Sequence, residues 1–186
     1  CPFIFDPGQA DGDADGVGDA CDIYENLGTT VVGVALDRLA LDANRKLYVG
    51  AYDQQLRKID PRAVNSVPSG VSELWVRPLA SRGTGFGGRP PLIAADGTVY
   101  SHVYGSGFVA LEPDGGEFLW TLLDVPGTFT GMALGAHQVI YGAVGNELRA
   151  VSGIDGAVLW TTALAAYEGA QLQGPVLAGD GTVIVV

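Results

Sequence analysis

The chain has 186 residues, 47% of them hydrophobic, which supplies enough apolar mass for the core of one ordinary domain. Ten basic residues against 21 acidic ones leave a formal charge of −11, so a nucleic-acid backbone would be repelled, and the basic stripe that a DNA or RNA binder needs is missing. No run of about 18 apolar residues occurs, which excludes a membrane-spanning helix.

The acidity is local. Residues 1–26 hold seven acids (Asp6, Asp11, Asp13, Asp15, Asp19, Asp22 and Glu25) and no base, whereas the remaining 160 residues carry 14 acids and all ten bases. Asp11, Asp13, Asp15, Asp19 and Asp22 fall at positions 1, 3, 5, 9 and 12 of a twelve-residue loop. Gly16 stands at position 6, where a sharp turn about an ion needs it, and Val17 at position 7 can offer only its backbone carbonyl. Five carboxylates this close repel one another, and a hard divalent cation relieves the repulsion. Ca²⁺ accepts six to eight oxygens in loose geometry, whereas Mg²⁺ demands a tight octahedron, so Ca²⁺ is the expected ion and these six residues its ligands. Asp22 is shorter than the Glu of an EF-hand at that position, and the flanks, with Pro2, Pro7, Gly8 and Gly28, do not read as paired helices. The plain alternative is a solvated acidic linker; the fixed spacing with Gly16 and Gly18 favours the ion.

Residues 1–22 resemble a thrombospondin type 3 repeat. Cys1-Pro2, Pro7, Gln9, Asp11, Asp13, Asp15, Gly16, Gly18, Asp19, Cys21 and Asp22 match its pattern, with Asp6 where Asn is usual. The resemblance implies a calcium-bound, disulfide-braced, extracellular or cell-surface segment, normally one of several in tandem. Cys1 and Cys21 are the only cysteines; paired together they would contribute about 3 kcal/mol, while in tandem arrays a cysteine also pairs with a neighbouring repeat. With no C-x-x-C and no nearby His, a zinc or redox role has no support. A leading cysteine also begins mature bacterial lipoproteins. Each reading places the chain in an oxidising compartment: extracellular space, cell surface or periplasm.

Residues 27–33 read as a hinge, and a repeat occupies 34–186. Its clearest copy, LIAADGTVYSHVYGSGFVALEPDGGEFLWTLL at 92–123, alternates short apolar strands with Asp-Gly and Gly turns and closes on Trp120. The stretch from Met132 to Leu164 repeats it: Val99-Tyr100 corresponds to Ile140-Tyr141, and Gly116 to Trp120 corresponds to Gly156 to Trp160. Trp120 and Trp160 lie 40 residues apart, and Trp75 lies 45 before Trp120. Four-strand repeats of this length are blades of a β-propeller.

The first blade is expected as strands over 34–41, 46–52, 55–59 and 73–77, with a long turn at 60–70 that reads as tolerated decoration. Between blades, Gly83, Gly85 and Gly88 satisfy G-x-G-x-x-G, but Arg89-Pro90-Pro91 and a strand follow where a dinucleotide site needs a helix. One Trp per blade at a fixed position points to packing between sheets rather than ligand stacking. His102 and His137 sit at non-equivalent places with no acid at catalytic spacing, and read as surface or strand residues. Residues 174–186 repeat 91–100 and open a fourth blade.

The blades resemble the PQQ-like propeller repeat family through the Ala-x-Asp-Gly-Thr-Val-Tyr run ending at Tyr100 and the Ala-Leu-x-x-x-x-Gly-x-x-x-Trp run ending at Trp120. Many members of that family bind no quinone and serve as rigid discs for protein contacts. Its quinone-using dehydrogenases carry an adjacent cysteine pair, which is missing here, and no catalytic Asp can be matched.

The expectation is therefore an all-β chain, a partial β-propeller of about three and a half four-stranded blades preceded by an irregular calcium-binding loop segment. Such an arc leaves two sheet edges open. The sequence starts at Cys1 rather than Met and stops inside a strand-like run, so it is read as part of a longer precursor whose remaining blades would be partners of these. The expected function is a calcium-binding protein whose blades meet a protein partner, without catalytic residues. A fragment of a PQQ-dependent oxidoreductase is the alternative, and an adhesin or assembly scaffold without any small ligand is a third reading that overlaps the first.

Overall fold

The computed structural model describes residues 36–51, 55–61, 72–79, 90–103, 107–123, 129–164 and 174–185. The acidic segment at 1–26, the hinge at 27–33, the long turn beyond residue 61 and the glycine-rich loop at 80–89 lie outside the described residues.

Three four-stranded antiparallel meanders and one two-stranded hairpin follow one another along the chain. The first comprises β1 (Leu36–Leu41), β2 (Leu47–Ala51), β3 (Gln55–Asp60) and β4 (Ser72–Pro78). The second comprises β5 (Leu92–Ile93), β6 (Val99–Val103), β7 (Gly107–Leu111) and β8 (Phe118–Leu123). The third comprises β9 (Phe129–Leu134), β10 (Val139–Val144), β11 (Glu147–Ser152) and β12 (Val158–Ala163). The hairpin pairs β13 (Val176–Leu177) with β14 (Val183–Ile184). Every sheet follows chain order, and β1, β5, β9 and β13 lie beside one another in turn. First strands innermost and sheets face to face make this a partial β-propeller of three and a half blades.

Local chemistry sets the turns. The Asp42 carboxylate accepts the backbone N–H groups of Asn44 and Lys46 at 2.8 Å each, Asp96 that of Thr98 at 2.9 Å, and Asp180 that of Thr182 at 2.9 Å. Aspartate closing its own turn in this way fixes the hairpin between the first and second strands of a blade. In the third blade the same place holds a short 3-10 turn, Ala136–Gln138.

Packing follows the two-residue period of a strand. In the middle blade Val99, Val109 and Leu111 face the first blade, in one cluster with Tyr48, Leu56, Trp75 and Leu79. Tyr100, Phe108 and Ala110 face the third, in a cluster with Ile140, Val144 and Val151. The core is therefore two seams between blades rather than one central mass, and β6 and β7 are buried throughout because both of their faces are covered. The outermost strands β8 and β12 are largely exposed.

Candidate functional site

The six expected metal ligands, Asp11, Asp13, Asp15, Val17, Asp19 and Asp22, all lie outside the described residues, as do Cys1 and Cys21. Among the described residues no three His, Cys, Asp or Glu side chains gather in a way that could hold a metal ion. His102 is buried in β6, opposite Phe108, and His137 is exposed in the 3-10 turn. The feature with the most defined geometry is the surface one blade presents to the next.

That surface is built on one row across each sheet. Tyr48 pairs with Lys58 and Lys58 with Trp75; Tyr100 pairs with Ala110 and Ala110 with Trp120; Tyr141 pairs with Ala150 and Ala150 with Trp160. The pairing shifts by one residue immediately beyond each Trp, so Leu74, Leu119 and Leu159 are bulged out of the ladder. The Tyr and Trp side chains, two strands apart, meet over the middle residue, Lys58, Ala110 or Ala150. The Tyr–Trp ring centroids stand 5.9, 6.1 and 5.9 Å apart in the three blades.

Each of the first two indoles lies on a glycine of the next blade. A Cβ at Gly116 would meet the Trp75 ring at 2.8 Å, and one at Gly156 would meet the Trp120 ring at 2.7 Å. Both glycines also have positive φ, +67° and +76°, which side chains resist. The carbonyl three residues before each glycine takes the indole N–H: Trp75 Nε1 donates to Pro113 O at 2.9 Å and Trp120 Nε1 to Gly153 O at 2.7 Å. A large apolar plate with one satisfied polar atom thus wedges each pair of sheets.

The polar partners of the wedge differ between seams. Across the first, Lys58 Nζ donates to the same Pro113 carbonyl at 2.8 Å, and Arg77 reaches the Glu117 carboxylate at 2.5 Å. Across the second, the single Tyr100 hydroxyl proton is shared between Gln138 Oε1 at 2.9 Å and Gly153 O at 3.2 Å, and Gln138 Nε2 donates to Asp96 at 2.7 Å. Burial raises the Tyr100 pKa, with the nearby Asp96 charge adding to it, so the hydroxyl remains a donor at neutral pH. Burial raises that of Tyr48 too, followed by the Asp42 charge. The Thr98 backbone N–H, ahead of the Thr98 hydroxyl and Gln138, holds the Asp96 carboxyl below its ordinary range.

Gln138 gave no signal in the sequence. It and His137 adopt left-handed backbone (φ 56° and 55°), unusual for residues other than glycine. Two cross-blade hydrogen bonds from its side chain, with its carbonyl accepting the Gly153 N–H at 2.7 Å, hold that conformation.

No helix among the described residues is long and apolar enough to cross a membrane. No protein-family model and no curated protein matches the chain. Solved structures match in fold. The computationally designed Ika4 protein is 15% identical, covering 86% of this chain and 94% of its own, with a TM-score of 0.61. The virginiamycin B lyase of Staphylococcus aureus is 14% identical, covering 83% of this chain, with a TM-score of 0.61. BamB of Moraxella catarrhalis is 21% identical over 72% of this chain, with a TM-score of 0.51. The chain spans 50% of that lyase and 39% of BamB. At such identities the likeness establishes the propeller fold alone.

Proposed function

We propose that this chain is a secreted or cell-surface calcium-binding protein whose blades act as a rigid structural and interaction module. The propeller-like fold supports the module, since Lys58, Trp75 and Arg77 tie the first blade to the second and Tyr100, Trp120 and Gln138 tie the second to the third. The observation that carries the calcium reading is the spacing of oxygens over residues 11–22. Asp11, Asp13, Asp15, Asp19 and Asp22 would hold the ion with the Val17 carbonyl, and this all-oxygen donor set fits a hard cation. The bound ion neutralises the carboxylates; without it they repel, and the segment expands.

Calorimetric titration of the oxidised, intact chain tests this. Saturable Ca²⁺ binding is expected at or below about 1 mM, the range of extracellular modules. The Asp13→Asn/Asp15→Asn variant should lose it, and chelation should expose the segment to protease. No binding at millimolar Ca²⁺, or undiminished binding by the variant, would refute the proposal.

A further inference from the structure

Among the described residues four turns carry Asp-Gly, the pair in which a glycine nitrogen, unhindered by a side chain, can attack the aspartate carboxyl before it: Asp96-Gly97, Asp114-Gly115, Asp155-Gly156 and Asp180-Gly181. In three of them both groups are tied away from that reaction. The carboxylates of Asp96, Asp155 and Asp180 accept the N–H two residues on, at 2.9, 3.1 and 2.9 Å. The N–H groups of Gly97, Gly156 and Gly181 donate to the backbone carbonyls of Ala94, Ser152 and Ala178 at 2.9, 2.9 and 3.0 Å, far weaker bases than a carboxylate. The Thr98 N–H, the Ser152 hydroxyl and the Thr182 N–H also hold those three carboxyls below their ordinary range, so little of the acid form that can lose water is present.

Asp114-Gly115 is built differently. It lies in the turn between β7 and β8, where Glu112 to Gly116 correspond to Ser152 to Gly156 of the third blade. Asp114 thus stands one residue earlier than Asp155, at the exposed tip that Ile154 occupies in the third blade. There its carboxylate accepts no hydrogen bond among the described residues. The Gly115 N–H donates to the Glu112 carboxylate, whose Oε1 stands 2.6 Å from the nitrogen. Of the four turns, this one alone places a carboxylate on the nucleophile and leaves the electrophile unheld.

We propose that Asp114-Gly115 is a self-modification site, at which the chain isomerises through a cyclic imide to the β-linked isoaspartyl form. The Gly115 nitrogen passes its proton to Glu112 and attacks Cγ of the Asp114 carboxyl in its acid form. The C–N bond forms, and the carboxyl hydroxyl takes the proton back from Glu112 and leaves as water. Water then reopens the imide at either carbonyl. Opening at Cγ restores aspartate; opening at the main-chain carbonyl carbon leaves the backbone running through the side-chain methylene, with a free α-carboxylate. No atom is gained or lost overall. The consequence falls on the first seam. The added main-chain carbon lies between the Pro113 carbonyl, which takes the Trp75 and Lys58 donors at 2.9 and 2.8 Å, and Gly116 under the Trp75 ring. This backbone sets the spacing of those two contacts, so lengthening it loosens the first blade from the second and leaves the second seam unchanged. The site belongs to the blades, so its test and the calcium titration fail independently.

The test is incubation of the intact chain at physiological temperature in water enriched in ¹⁸O. Peptide mapping with electron-transfer fragmentation then separates β-linked from α-linked aspartate. Isoaspartate carrying ¹⁸O should accumulate at residue 114 at least about tenfold faster than at 96, 155 or 180, the factor that one hydrogen bond on the reacting group sets. Asp114→Glu, which keeps the charge but forms a larger ring, should abolish it. Gly115→Ala, compatible with a residue outside the positive-φ region, should slow it. Glu112→Gln, which still accepts the N–H but cannot take the proton, should slow it as well. In the chain labelled with 5-fluorotryptophan, the ¹⁹F signal of Trp75, assigned by Trp75→Phe, should move in step with isoaspartate content while that of Trp120 stays in place. No isoaspartate at residue 114 in the time the urea-unfolded chain accumulates it, equal rates at the four turns, an unchanged rate in Glu112→Gln, or a Trp75 signal that stays put as isoaspartate accumulates would each overturn the inference.

Discussion

The two seams solve one mechanical problem with different polar chemistry. In both, an indole lies flat on a glycine and donates to the carbonyl three residues before it. Around that shared contact the first seam uses charge, with Lys58 on the Pro113 carbonyl and Arg77 on Glu117. The second uses an uncharged phenol and amide, with Tyr100 on the Gly153 carbonyl and Gln138 bridging to the Asp96 carboxylate. The contact that recurs is the one that sets the spacing between sheets. The contacts that vary only need to satisfy the same carbonyl, and an ammonium or a phenol can each do so.

The comparison predicts a hierarchy of losses. Trp75→Ala should lower unfolding stability by about 3–5 kcal/mol, the cost of emptying a buried aromatic site, and Trp120→Ala, at a partly buried site, by about 2–4 kcal/mol. Trp160→Ala, whose indole is already half in water, should cost less than about 1 kcal/mol. Urea unfolding checks all three, and equal losses would mean that the wedge does not depend on the following blade.

Smaller effects separate the two polar shells. Gln138→Ala removes both cross-blade bonds and leaves a side chain in left-handed backbone, for about 1–2 kcal/mol. Gln138→Gly should recover part of that loss by relieving the backbone alone. Lys58→Met should cost about 1 kcal/mol or less, because Trp75 still satisfies the Pro113 carbonyl. A Lys58 effect as large as that of Trp75 would make the charged shell, not the indole, the determinant of the first seam.

Much of this was legible in the chain. The Trp spacing and the recurring Asp-Gly and Gly turns gave the blades, their strand order and the packing role of the tryptophans. Expected strands at 34–41, 46–52, 55–59 and 73–77 correspond to Leu36–Leu41, Leu47–Ala51, Gln55–Asp60 and Ser72–Pro78. The bulge at Leu74, Leu119 and Leu159 was hidden, although a Leu-Trp pair marks it in every blade, because a one-residue slip leaves hydrophobicity unchanged. His102 reads like an exposed strand residue from its polarity, yet the middle blade buries both faces and β6 buries it. Ala136-His-Gln138 carries no glycine or asparagine to announce left-handed backbone; cross-blade bonds impose it. The aspartate loop at 11–22 lies outside the described residues, so its reading rests on sequence spacing alone.

Hydrogen exchange at the three indole N–H groups tests the wedge most directly, since each can be followed separately by NMR. The Trp75 and Trp120 protons, bonded to carbonyls of the following blade, should exchange slowly, and that of Trp160 should exchange close to the rate of a free indole. Three equal rates, or a Trp160 proton as slow as the others in the chain alone, would contradict the account.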